Sequence, residues 1–316
     1  MIAVVASLAA TAAAVTVGAT VLASSGEAKR EPGQAGTREG APPLLLDLGV
    51  RDDAEARTLR RAAGLHAGGR RAEAARILER LDSLDGQVGA AVAAWPDRTL
   101  ERLDALRRRH PRSALVRLHL GLARFWARQD AAAVAAWRAA ERVEPDSASA
   151  VRAGDLLHPN MATGLPTFVP ALALPASLAK LSPAQQLDAL RRRARDADGK
   201  LLYGVALQRL GKRVSARGQF DAAVALEPNR AETQVAAAVA RFDKDDPSRA
   251  FSRLGPLSRR FPRAPTVRFH LGLLLLWIGR VDEAKRQLVL ARDLGPRTPL
   301  GREANRFLER LDRIDG

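Results

Sequence analysis

Prolines stand at positions 111 and 145 and again at 228, 262 and 296, at steps of 34 residues within each run. A proline ends a helix, because its ring clashes with the preceding turn and its nitrogen carries no hydrogen to donate. A stop every 34 residues cuts the chain into units long enough for two short helices and their turns. Within these units small and bulky residues keep fixed places. Counting back from Pro145 gives Leu120-Gly121, Ala133, Trp137 and Ala140. Pro228 is preceded by Gly204, Ala216, Phe220 and Ala223, and Pro262 by Ala238, Ala250, Leu254 and Leu257. Leu271-Gly272, Ala284, Leu288 and Ala291 lead up to Pro296. The small residue of the first helix and the Ala opening the second let two backbones approach. The bulky residue one turn later fills the space that remains.

The units recur at a second level. VRLHLGLARFW at 116–126 and VRFHLGLLLLW at 267–277 are identical at seven of eleven positions, at an offset of 151 residues. A weaker unit on Leu59, Gly69, Ala74 and Leu78 matches one on Leu201, Gly211, Ala216 and Phe220, and residues 90–112 match 237–263. SASAVRAGDLL at 147–157 and TPLGREANRFL at 298–308 read as capping helices after each set. Duplication of a three-unit block accounts for both levels of repetition.

This pattern resembles the tetratricopeptide repeat (TPR) family. The likeness has one departure, since the early Trp and Tyr of the first helix are missing. Arg117, Lys200, Gln234 and Arg268 stand at the Trp place, and Arg124, Leu207, Arg241 and Leu275 at the Tyr place. The resemblance implies an all-α, TPR-like helix-turn-helix solenoid in two three-repeat blocks, over residues 55–157 and 183–316, each with a capping helix. It also implies that the first helices line a concave, partner-binding groove. Carried onto this chain, the groove positions are Leu118, His119, Leu122 and Trp126 in one repeat. Those of the other repeats are Leu201, Val205 and Arg209; Val235, Val239 and Asp243; and Phe269, His270, Leu273 and Trp277. Such a groove is apolar with few charges. It suits an apolar extended or helical segment of another protein better than a C-terminal carboxylate. For the His and Trp residues, packing between repeats is the competing reading.

Outside the blocks, residues 2–26 form an uncharged run of 25, where about 20 suffice to span a bilayer as a helix. Residues 1–25 are therefore expected to be a membrane anchor, with a cleaved signal (and a secreted protein) as the alternative. Either reading places the repeats outside the cytoplasm. The opposite sign comes from Lys29, Arg30 and Arg38, which follow the segment with no cation before it. Residues 26–54, rich in Gly, Pro and charge at their start, are expected to be a flexible tether. Residues 158–182, with Pro183 just after them, have five prolines over 158–183 but also Phe168, Val169, Leu172, Leu174 and Leu178. They are too apolar for a free linker. An extended strap packed along the blocks is expected, with occupation of a groove as an internal peptide ligand the sharper alternative. Ser182-Pro183 reads as the N-cap and first position of a helix running to Arg195.

The formal net charge is +16, yet only six of the 51 basic residues are lysine. Arg and Ala excess of this kind points to a GC-rich bacterial genome before it points to a partner. Arg107–Arg109, Arg191–Arg193 and Arg259-Arg260 suggest a second class of function, a cytoplasmic protein that binds nucleic acid or an anionic surface. One tyrosine and 4% aromatic residues leave little for base stacking, so nucleic acid is not the expected partner. No nucleophile elbow, zinc-hydrolase motif, phosphate loop or dinucleotide fingerprint is present. There is no cysteine, and the five histidines lack ligand spacing. No enzyme activity, cofactor or metal is expected. In layout the chain resembles membrane-anchored TPR proteins that scaffold envelope assembly, and binding of other proteins is the expected work.

Overall fold

A computed structural model describes residues 37–315, and the expected anchor at 1–25 lies outside them. The described residues form helices and no strands, divided after Pro159 into two compact units. The first unit holds three helix pairs: α1 (Ala54–Ala67) with α2 (Arg71–Leu78), α3 (Leu84–Ala93) with α4 (Thr99–Arg109), and α5 (Ala114–Trp126) with α6 (Asp130–Val143). Helix α7 (Ala148–Leu157) closes it. The second unit begins with a one-turn helix α8 (Ala176–Ala179) and α9 (Pro183–Arg193). Three pairs follow: α10 (Ala197–Arg209) with α11 (Arg213–Leu226), α12 (Ala231–Val239) with α13 (Ser248–Arg260), and α14 (Pro265–Trp277) with α15 (Val281–Leu294). Helix α16 (Pro299–Asp315) is last.

The sequence signals act where they stand. Helices α4, α6, α11, α13 and α15 end at residues 109, 143, 226, 260 and 294, each two residues before one of the periodic prolines. Gly121 faces the indole of Trp137, and Gly204 faces Phe220, so closely that a Cβ at either glycine would overlap the ring. A Cβ on Gly272 would stand 2.9 Å from Leu288 Cγ. These are the first-helix to second-helix contacts that the small residues permit. Gly211 (φ 69°) and Gly279 (φ 76°) make the left-handed turn between the two helices of a repeat, and Arg128 (φ 57°) takes the corresponding place after α5. Ser182 and Gln185 form a reciprocal capping box before α9, with Pro183 in its first turn. That helix stops at Arg193 rather than Arg195.

The expectation of a flexible tether over residues 26–54 fails for its described part. Leu44 and Leu48 are buried in the core of the first unit together with Leu59, Val88 and Val116. Gly, Pro and charge describe this segment's composition, but its three consecutive leucines, 44–46, find apolar cover on the helices. The second strap is likewise part of a core. Phe168 is buried with Leu201, Val205, Phe220 and Val235.

Candidate functional site

In each unit an extended segment lies across the first helices, held by side chains that bond its backbone. In the first unit the backbone N–H of Leu45 donates to His119 Nε2 at 3.0 Å. His66 Nε2 meets the carbonyl of Pro42 at 2.8 Å, and Arg152 donates to the carbonyl of Leu46 at 3.2 Å. Asp47 accepts the backbone N–H of Ala148 at 3.2 Å, at the exposed amides that open α7. Arg38 stacks 3.8 Å above the ring of Phe125 and donates through Nε to the Phe125 carbonyl at 2.8 Å. Its terminal nitrogen reaches both carboxylate oxygens of Asp130, at 2.8 and 3.0 Å.

The second unit repeats the scheme with other residues. Val169 donates its backbone N–H to His270 Nε2 at 2.9 Å. Phe168 donates its own to Gln208 Oε1 at 3.0 Å. Lys244, itself buried, donates to the Ala162 carbonyl at 2.8 Å, and Trp277 Nε1 to that of Gly164 at 3.4 Å. Phe168 stacks on His270, with ring centroids 5.0 Å apart, and meets Phe220 edge-on at 5.7 Å.

The two histidines have their tautomers fixed by these partners. Since Nε2 accepts from an amide, the ring proton sits on Nδ1, which points at the carbonyl four residues earlier. The distances are 2.8 Å from His119 to Leu115 and 2.7 Å from His270 to Thr266. Burial presses both imidazoles down to about 4, against the smaller opposing pull of those carbonyls. They are neutral at physiological pH, each an acceptor built to read a backbone amide.

The expected groove residues separate cleanly. Leu118 and Leu122, with Trp126 at their edge, pack in one cluster with Leu45. Leu201, Val205, Val235 and Val239 pack with Phe168, while Phe269, Leu273 and Trp277 pack with Val169 and Ala171. Arg209 is exposed at the end of α10 and outside these clusters. Asp243 pairs at 3.7 Å with Arg213 and at 3.6 Å with Arg249. The repeat pattern missed the occupants' common form. GAPPLLLDL at 40–48 and GLPTFVPAL at 164–172 share Gly, Pro and Leu in register, and Gly40 (φ 81°) and Gly164 (φ 78°) both adopt the left-handed conformation. Two apolar residues follow in each, and the second of them donates to the histidine. The signal was present at an offset of 124 residues, whereas the repeats align at 151.

The arginine runs end helices α4, α9 and α13, where cations complement the exposed carbonyls. Arg107 pairs with Asp104 and Arg192 with Asp188, and Arg260 bonds Asn229. Among the described residues no group of three or more His, Asp and Glu side chains could hold a metal ion. None of the described helices is long and apolar enough to cross a membrane.

Helix pairs of this length, closed by the periodic prolines and packed glycine against ring, define a TPR-like helical-repeat solenoid. No protein-family model matches the chain, and no curated protein does. Among solved structures the chain is similar to yeast Tom70, at 15% identity over 91% of this chain and 68% of that one, with a TM-score of 0.31. Similarity to the APC/C hetero-tetramer Cut9–Hcn1 is 14% over 81% of this chain and 55% of the other, with a TM-score of 0.28. The C-terminal part of a TPR repeat-containing protein from Cytophaga hutchinsonii matches at 14% over 78% and 98%, with a TM-score of 0.29. At these scores the likenesses add nothing to what the helices themselves define.

Proposed function

We propose that this chain is a non-catalytic scaffold whose repeat blocks seat extended apolar segments of partner proteins, with residues 2–26 attaching it to a membrane and the repeats outside the cytoplasm. One observation carries the reading. Two grooves in one chain hold two different segments in the same register, Gly at positive φ, then Pro, then two apolar residues, with the last amide on a histidine. Main-chain bonds of this kind supply affinity with little regard to side chains, and the apolar pockets supply selectivity. The chain's own straps are the occupants, so a partner competes with a tethered segment whose effective concentration is of order millimolar. A membrane-attached scaffold of this kind fits work in envelope assembly.

The test is competition. A fluorescent GLPTFVPAL peptide is titrated into the native protein and into Phe168→Ala, which loosens the strap, with Leu44→Ala and a GAPPLLLDL peptide as the matching pair in the first unit. The variants should bind at least tenfold more tightly than the native chain. Absence of binding in all four titrations overturns the reading. The attachment has its own test. Thr37→Cys introduces the chain's one cysteine, and an impermeant maleimide should label it in intact cells. Labelling only after lysis rejects the outward placement.

A further inference from the structure

Helix α5 presents a second face. Arg117, Leu120 and Arg124, three and four residues apart, line a cleft of about 270 Å³ together with Arg107 of α4 and Ala135, Ala136 and Ala139 of α6. A single water needs only about 10–15 Å³, so the cleft has room for a group of several heavy atoms. Asp104 bridges two of the arginines, 2.9 Å from Arg107 and 3.6 Å from Arg124. Among the described residues Arg117 has no carboxylate partner. It donates through one terminal nitrogen to the Pro111 carbonyl at 2.8 Å, while its Nε is buried with no partner. Burial and the nearby cations Arg107 and Arg142 all weigh against its charge. A desolvated guanidinium nitrogen without an acceptor, among like charges, is a cost that an anion would remove.

The duplication supplies an internal control. At the offset of 151, Arg117 corresponds to Arg268, and there Gln287 accepts from the guanidinium at 3.3 Å. Gln287 corresponds to Ala136. Arg107, Arg124, Asp104, Ala135 and Ala139 correspond to Ser258, Leu275, Gly255, Arg286 and Leu290. The second unit therefore satisfies its arginine internally and carries larger side chains at the alanine positions. The first unit has three alanines there, and three arginines where the second has two.

We infer that the α4–α5–α6 cleft of the first unit is a binding site for a phosphate group. Three guanidinium groups less one carboxylate leave a charge that matches a phosphate dianion better than a carboxylate. Asp104 acts as the brace that holds Arg107 and Arg124 toward their guest. The phosphate belongs either to a small soluble compound or to a lipid headgroup, and the two sources are separable.

The experiment uses the full chain, native and as Arg117→Gln and Ala136→Gln, the latter placing in the first unit the residue its duplicate carries. Calorimetric titrations with inorganic phosphate and pyrophosphate are paired with flotation on vesicles of phosphatidylglycerol in phosphatidylcholine, and thermal melts confirm that the variants fold. Binding by the native chain should fall at least tenfold in both variants. Binding of the free anions assigns the site to a soluble phosphate. Binding of anionic vesicles alone assigns it to a headgroup. Absence of binding to every probe overturns the inference, as does equal binding by the native chain and either variant, which would make the affinity a general property of a basic surface.

Discussion

The ring of Phe168 lies on the imidazole of His270, planes 19° apart and centroids at 5.0 Å, while the amide of the next residue donates to that same imidazole. One strap residue thus fills a core position and sets the hydrogen-bond register of the groove.

Phe168 is 1% exposed, and its removal leaves a cavity between α10, α11 and α14. Phe168→Ala should cost about 3–5 kcal/mol of stability in the second unit. Leu45→Ala, whose side chain is only partly buried at the edge of its cluster, should cost less than half as much. Urea melts of the two variants check the order. Equal costs would mean that the second strap is not part of its unit's core.

Stability should decline on the acid side through these histidines. Both are pressed down to about 4 in the folded chain, against about 6.5 when unfolded. The unfolded state therefore binds more protons in the interval between those values, and the sign is fixed. The contribution is full above pH 6.5 and is lost as pH falls toward 4, roughly 3 kcal/mol for each imidazole. Protonation of Nε2 would also set a donor against the strap amide. Denaturant melts between pH 7 and 4.5 should show this slope, and His270→Gln, which keeps an acceptor without titrating, should flatten it in the second unit. An unchanged slope refutes the assignment.

The close helix contacts should resist enlargement unequally. Gly121 faces an indole whose Nε1 is tied to the Leu118 carbonyl at 3.3 Å and whose atoms an added Cβ would overlap, whereas a Cβ on Gly272 would meet the Leu288 branch carbon at 2.9 Å and the Ala284 carbonyl at 3.2 Å. Gly121→Ala should therefore cost about 3 kcal/mol and Gly272→Ala about 1 kcal/mol. Thermal melts that ranked them in the opposite order would contradict the packing described.

Other glycines divide by backbone rather than by space. Gly64 and Gly218 lie inside α1 and α11 with nothing within 4 Å of an added Cβ. Alanine at either should stabilise by roughly 0.5–1 kcal/mol. Gly211 and Gly279 sit at φ 69° and 76°, where alanine should cost about 1–2 kcal/mol. Four single variants and one melting series test both signs.

The repeat architecture was legible because it is written in local chemistry. A proline stops a helix wherever it stands, and the glycine opposite Trp137 or Phe220 is a pairwise fit sixteen residues apart in the chain. The capping box at Ser182 and Gln185 was legible for the same reason. The first strap was not. An extended segment has no periodicity of its own, and the order of residues 38–48 comes from His66, His119 and Arg152, far away in sequence. The positions expected to line a groove could be named from the repeat pattern, yet nothing local showed that the chain's own extended segments pack against them. Arg117 and Arg124 were visible as departures from the aromatic pattern. Their significance appears only beside the alanines of α6 and against the glutamine that answers Arg268.

The straps also change how such a molecule can come apart. A stack of helix pairs touches only its neighbours and ordinarily frays from the ends, one repeat at a time. Here Leu45 bonds a residue 74 positions away and Val169 one 101 positions away. The first strap reaches α1, α5 and α7, and the second reaches α10 and α14. Each crosses its block like a drawstring, so no terminal repeat can leave without breaking bonds made at the other end. Each block is thereby committed to unfolding in a single cooperative step, and to the slower search that long-range closure imposes on folding.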